Sequence, residues 1–211
     1  MFYNLGMVDA SLGLNEKAIE AFECSLKMQK SALGDNHPDI ATIQHNIGMI
    51  YLNIGRVAEA TNAFLGSLQV IRYVFGNDHR NVAKELFQLG QIHEMKGEYD
   101  EALHVYQETL RVEIMTLGSH HSDTIITLCK IGQIYYTKGN MYNALHTYND
   151  ALSKAKATCE IEQETIIMIL IQLMKVNFDA GNVYISTQIH SEINSLISCL
   201  SSDSTFFGTT E

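Results

Sequence analysis

Much of what this chain does can be bounded by what it lacks. There is one proline among 211 residues, no tryptophan, and little Val-rich alternation. Such a chain offers few strand signals and reads as all-helical. The four cysteines, Cys24, Cys129, Cys159 and Cys199, form no CxxC pair. Neither a disulfide framework nor a zinc ribbon is indicated, and reduced thiols in a cytoplasmic setting are the simpler reading. Basic charge is scarce: 14 Lys+Arg face 24 Asp+Glu, for a net charge of −10. From Gln163 onward the one basic residue is Lys175. Nucleic acid and anionic membrane surfaces need clustered Lys and Arg, so both are excluded as expected partners. The longest apolar run, residues 166–171, is far short of the ~20 residues of a membrane span. The N-terminus lacks a basic region and carries Asp9, so it is no signal peptide. No P-loop, nucleophile elbow or HExxH motif is present. No catalytic residue, metal ligand or cofactor is expected.

What is present is a repeat. Residues 38–76, PDIATIQHNIGMIYLNIGRVAEATNAFLGSLQVIRYVFG, have a skeleton that recurs every 42 residues. Gly48 matches Gly6, Gly90 and Gly132; Gly55 matches Gly13, Gly97 and Gly139. Ala60 matches Ala18, Ala102 and Ala144, and Phe64 matches Phe22, Tyr106 and Tyr148. Leu68 aligns with Leu26, Leu110 and Leu152. A fixed period of this length marks an array of supersecondary units, and a hydrophobic content of 46% is ample for its core.

Each unit reads as two amphipathic helices joined at a glycine. Ile40, Ile43, Ile47, Ile50 and Ile54 form one apolar stripe; Val57, Ala60, Phe64, Leu68, Ile71 and Phe75 form the next. Gly34, Gly76 and Gly118 stand where a helix end wants positive φ, and Pro38 suits a first helical turn. Glycines in mid-helix cost about 1 kcal/mol each, so Gly48 and its equivalents imply close approach of a neighbouring helix. The expected units are 1–34 with a truncated first helix, 35–76, 77–118, 119–160, and a degenerate 161–200 acting as a C-terminal cap, followed by a disordered tail at 201–211. In the fifth unit Gly181 keeps the turn, but Ser186 replaces the small Ala and Met174 the mid-helix Gly. Its first helix is apolar nearly all round, which implies burial on several sides. The chain starts inside a repeat, which suggests a fragment.

The run Asn46, Ile47, Gly48, Tyr51, Gly55, Glu59, Ala60, Phe64, Leu68 resembles the tetratricopeptide repeat, in the 42-residue form of kinesin light chains and nephrocystin-3-like proteins. The HPDIAT stretch, residues 37–42, looks like the light-chain version. The resemblance implies a right-handed superhelical α-solenoid of antiparallel helix pairs, with the first helix of each pair lining a concave groove. On that placement the groove residues are Tyr3 and Met7; Thr42, His45, Met49 and Asn53; Lys84, Phe87, Gln91 and Glu94; and Cys129, Gln133 and Tyr136. The expected function is a non-catalytic protein–protein interaction scaffold, an adaptor similar to kinesin light chains, holding a partner peptide or helix. The alternative is the regulatory or substrate-recruiting portion of a larger enzyme or signalling protein. Self-association through the uncapped first repeat is a further expectation. Light-chain grooves take acidic peptides on basic side chains; with few basic groups here, apolar or mildly basic peptides fit better. His37, His79 and His121 recur at the period in the loops, which spreads them apart and favours capping or loop packing over metal binding.

Overall fold

The computed structural model describes residues 1–158 and 161–205, with side chains described through residue 198. Among the described residues there are ten α-helices and no strand. They are α1 Phe2–Ser11, α2 Asn15–Leu33, α3 Pro38–Asn53, α4 Val57–Phe75, α5 Arg80–Lys96, α6 Tyr99–Thr116, α7 Ser122–Thr137, α8 Met141–Lys156, α9 Gln163–Asp179 and α10 Val183–Thr205. Consecutive helices pack as the pairs α1/α2, α3/α4, α5/α6, α7/α8 and α9/α10. The chain divides into two compact units, Met1–Thr116 and Leu117–Glu211.

In the first unit the three pairs share cores made by the repeated residues. Ala18, Ala60 and Ala102 are fully buried, as are Phe22, Phe64 and Tyr106. The mid-helix glycines meet these aromatics directly. A Cβ added at Gly6, Gly48 or Gly90 would lie 2.9, 2.8 or 2.7 Å from the ring of Phe22, Phe64 or Tyr106. Glycine is therefore required because the paired helix seats its largest side chain against bare backbone. Pair joins pair through buried Ile40, Ile71, Val82 and Leu86. In the second unit, Ala144 and Tyr148 repeat the arrangement over Gly132.

The loops resolve the recurring histidines. His37, His79 and His121 are the N-caps of α3, α5 and α7, and each Nδ1 accepts the backbone N–H two residues on, at 3.2, 3.2 and 3.1 Å. They satisfy helix-terminal donors that would otherwise lack partners.

The fifth pair departs from expectation. α9 is not buried on several sides: Met168, Ile171 and Phe178 are exposed. α10 shows Val183, Tyr184, Ile185 and Ile197 to solvent together with its polar residues Thr187, His190, Glu192, Asn194 and Ser195. The reason lies in the missing small residues. Met174 stands where the other pairs have glycine, and Ser186, buried in place of the small alanine, donates its Oγ to the Met174 carbonyl at 3.1 Å. A polar tie replaces ring-on-backbone contact, and few apolar side chains of α10 find cover. Of the disordered tail expected at 201–211, residues 201–205 instead continue α10, and residues 206–211 lie outside the described residues.

Candidate functional site

The thirteen residues expected to form a ligand face all lie on first helices, and none of them is fully buried. In the first unit they occupy α1, α3 and α5. These helices form a row tied by side chains: Asn46 Nδ2 donates to Tyr3 Oη at 3.1 Å, with Met7 Sδ 3.7 Å away, and His45 Nδ1 sits 2.9 Å from Glu85 Oε1. Met7, Thr42, Asn53 and Lys84 are exposed along this row. Met49, Gln91 and Glu94 are half-buried, Met49 against the core.

Three of the expected residues divide their surface between core and solvent. The rings of Tyr3, His45 and Phe87 lie at 5.6, 5.7 and 5.5 Å from those of Phe22, Phe64 and Tyr106, tilted by 58, 61 and 57°. Such tilted pairs are favourable beyond their area. Each ring is thus held by an aromatic contact within its own helix pair while part of its surface stays accessible. Glu94 accepts from the buried Tyr106 hydroxyl at 3.0 Å. Burial, more than the neighbouring carboxylate, raises the Tyr106 pKa well above the usual phenol range, so it stays a donor.

In the second unit, α7 and α9 carry the corresponding face. Gln133 is exposed, while Cys129 and Tyr136 are half-buried. Tyr136 donates to Asp179 Oδ2 and lies under Lys175, whose Nζ is 4.9 Å from the ring centroid. The hydrogen bond to Asp179 is the main cause raising its pKa. Burial pushes the Cys129 thiol up to about 12, which leaves it unreactive at neutral pH.

Sequence reasoning missed the most polar feature of the row. Between α3, α4 and α5 lies a cavity of about 280 Å³, lined on its polar side by Thr42, His45, Ser67, Asn81, Lys84 and Glu85. Glu85 is 3% exposed. Its Oε1 takes both the His45 contact and the Ser67 Oγ at 3.0 Å, and Ser67 Oγ also lies 3.0 Å from the Ala41 carbonyl. Ser67 leans on the carboxylate and not on the imidazole, so this trio lacks the hydroxyl-to-histidine contact of an activated serine. The signal was readable in the register: Glu85 is the charged member of a column that otherwise holds Ile43, Thr127 and Ile169.

Among the described residues no group of three His, Cys, Asp or Glu side chains converges as a metal site. No described helix is long and apolar enough to cross a membrane.

Tandem helix pairs with a buried repeating skeleton and varied, accessible residues on the first helix of each pair define an α-helical repeat protein. The model of the tetratricopeptide repeat matches residues 1–65, 39–112 and 86–157, and the chain belongs to that family. No curated protein matches the sequence. Among solved structures, the fold is similar to BtubC (BKLC) from P. vanneervenii, at 17% identity and a TM-score of 0.85 over 98% of this chain and 80% of that one. It is also similar to a Podosopora anserina kinesin-light-chain-like protein with nearly identical repeats, at 16% identity and a TM-score of 0.80 over 95% of each chain. RapI in its apo form gives 15% identity and a TM-score of 0.81 over 92% of this chain and 52% of that one.

Proposed function

We propose that this protein is a non-catalytic adaptor, similar to kinesin light chains, that holds a partner peptide or helix against the row of first helices. The observation that carries this reading is the division of labour within each pair. Residues that repeat, such as Ala60, Phe64 and Gly48, are buried, whereas residues that vary at equivalent positions, such as His45, Phe87 and Cys129, stay partly accessible on the first helix of their pair. Half-held aromatic rings, Met7, Met49 and the amides of Gln91 and Gln133 offer apolar contact and backbone hydrogen bonding to an extended segment. With a net charge of −10, apolar or mildly basic segments suit the face better than acidic ones. The free thiols of Cys24 and Cys129 favour the cytoplasm as its location.

The test is an affinity capture comparing wild type with Phe87→Ala and Tyr136→Ala, singly and combined, each checked for folding by circular dichroism. Partners that the folded variants lose are ligands of the row. Unchanged capture by folded variants overturns the reading.

A further inference from the structure

The repeats supply an internal control for the cavity at Glu85. The same slot is built three times. One period earlier, a cavity of about 220 Å³ is lined by Tyr3, Gln29, Asp39, Thr42 and Ile43, which take the places of His45, Ile71, Asn81, Lys84 and Glu85. In the second unit, a cavity of about 210 Å³ places Cys129, Thr165, Met168 and Ile169 where the first has His45, Asn81, Lys84 and Glu85. Ile43 and Ile169 are each 1% exposed, against 3% for Glu85. Two of the column's other three members are thus isoleucine and the third, Thr127, is an uncharged buried residue, so the fold has no need of a carboxylate there.

Glu85 is costly in that place. Its Oε1 is served twice, by His45 and Ser67, while its Oε2 is buried with no hydrogen-bond partner among the described residues. A buried acceptor left unmade costs free energy, and a buried carboxylate more so. Isoleucine at the same position would avoid that cost. A carboxylate oxygen is an acceptor only, so whatever completes it must be a donor. A cationic donor returns the most, because it supplies the hydrogen bond and the countercharge together.

We propose that the cavity between α3, α4 and α5 is an anchor pocket for a basic side chain, arginine or lysine, of the bound segment, received by Glu85; this rests on the peptide-binding reading of the row. Lys84 lines the same cavity and is exposed. It is the cation that competes with an incoming one for the carboxylate, and its equivalents in the second unit are Ile126 and Met168. The repeats thus prescribe two variants the fold already tolerates elsewhere: Glu85→Ile removes the receptor, and Lys84→Met removes the competitor.

The experiment titrates N-acetyl-arginine amide into the full chain and follows the His45 ring and neighbouring amides by NMR. N-acetyl-citrulline amide, a neutral donor of the same shape, and N-acetyl-norleucine amide, which has no side-chain donor, serve as controls. Saturable millimolar shifts are expected for the arginine probe, with citrulline weaker by about tenfold or more, the worth of a charge-assisted bond. Glu85→Ile should abolish the shifts while raising Tm, and Lys84→Met should tighten binding. Glu85→Gln, which keeps the shape, should lose the preference for arginine over citrulline. Equal response to arginine and citrulline would show a pocket for neutral donors or water, and would overturn the proposal. So would no response, binding retained in Glu85→Ile, or failure of that variant to fold. The probe reports at the cavity alone, whereas the capture experiment reads the whole row, so either reading can fail without the other.

Discussion

Alanine at position 90 would have to share space with the ring of Tyr106. Its Cβ would lie 2.7 Å from Tyr106 Cε1, where the corresponding approach of Gly132 to Tyr148 is 3.1 Å. Alanine gains about 1 kcal/mol over glycine in helix propensity, and overpacking a tight core costs about 1–3 kcal/mol. Tyr106 is fully buried and tied by its hydroxyl to Glu94, so it has little freedom to retreat. Gly90→Ala should therefore lose about 1–2 kcal/mol net, while Gly132→Ala stays within about 1 kcal/mol of wild type. Urea unfolding of the two variants checks the order; equal stabilities would mean that ring contact does not dictate these glycines. Cysteine chemistry gives a second contrast at this scale. Cys24 is exposed, whereas the Cys129 thiol is pushed up to about 12 by burial. The thiolate is the nucleophile. Iodoacetamide at pH 8 should label Cys24 in the native protein and spare Cys129, as peptide mapping would read. Rapid labelling of Cys129 would mean that it is far more accessible than its burial indicates.

Glycines that end helices are of two kinds, and the difference governs which substitutions each turn accepts. α5 ends on Gly97 with φ 76° and ψ 11°, in the left-handed helical region, where asparagine is also found. α4 ends on Gly76 with φ 83° and ψ 179°, a region nearly reserved for glycine. No atom would crowd a Cβ at either position, so the cost of substitution is backbone strain alone. Gly97→Asn should change stability by less than about 1 kcal/mol, and Gly76→Asn should cost about 1–3 kcal/mol. Thermal melts of the pair check this, and a harmless Gly76→Asn would contradict the backbone geometry.

The period made these turns legible in the sequence, along with the helix pairs and the buried alanine and aromatic columns, because each is a local requirement repeated three times or more. The exposed apolar faces of α9 and α10 were not legible in the same way. An all-round apolar helix signals burial only if neighbours exist to bury it, and Met174 and Ser186 alter how α10 sits on α9. The recurring histidines announced a loop role, but their part as acceptors at Nδ1 depends on rotamers that spacing does not specify. All thirteen candidate residues keep some exposure on the first helix of their pair, but the chemistry around them was not legible. Glu85 sits on the apolar side of α5 by register, and only its contacts with His45 and Ser67 reveal a polar cavity behind the row.

At the scale of the whole molecule, charge separates the expected partners more than shape does. With 24 acidic and 14 basic residues the chain is surrounded by a negative potential, which raises the local concentration of cationic segments and speeds their association. This long-range part is screened within about 10 Å at 0.1 M salt, whereas apolar contact with the row is not. A captured basic peptide and its arginine-to-citrulline analogue should then respond differently to ionic strength. Between about 0.02 and 0.2 M salt the association rate of the basic peptide should fall severalfold, and that of the neutral analogue should hardly change, since electrostatic steering acts on encounter. The residual difference at high salt belongs to short-range contact, such as that proposed at Glu85, and should appear in the dissociation rate. Stopped-flow measurement of both rates separates the two contributions. Association rates that rise with salt, or that respond identically for the two peptides, would show that the net charge plays no part in selecting what this face binds.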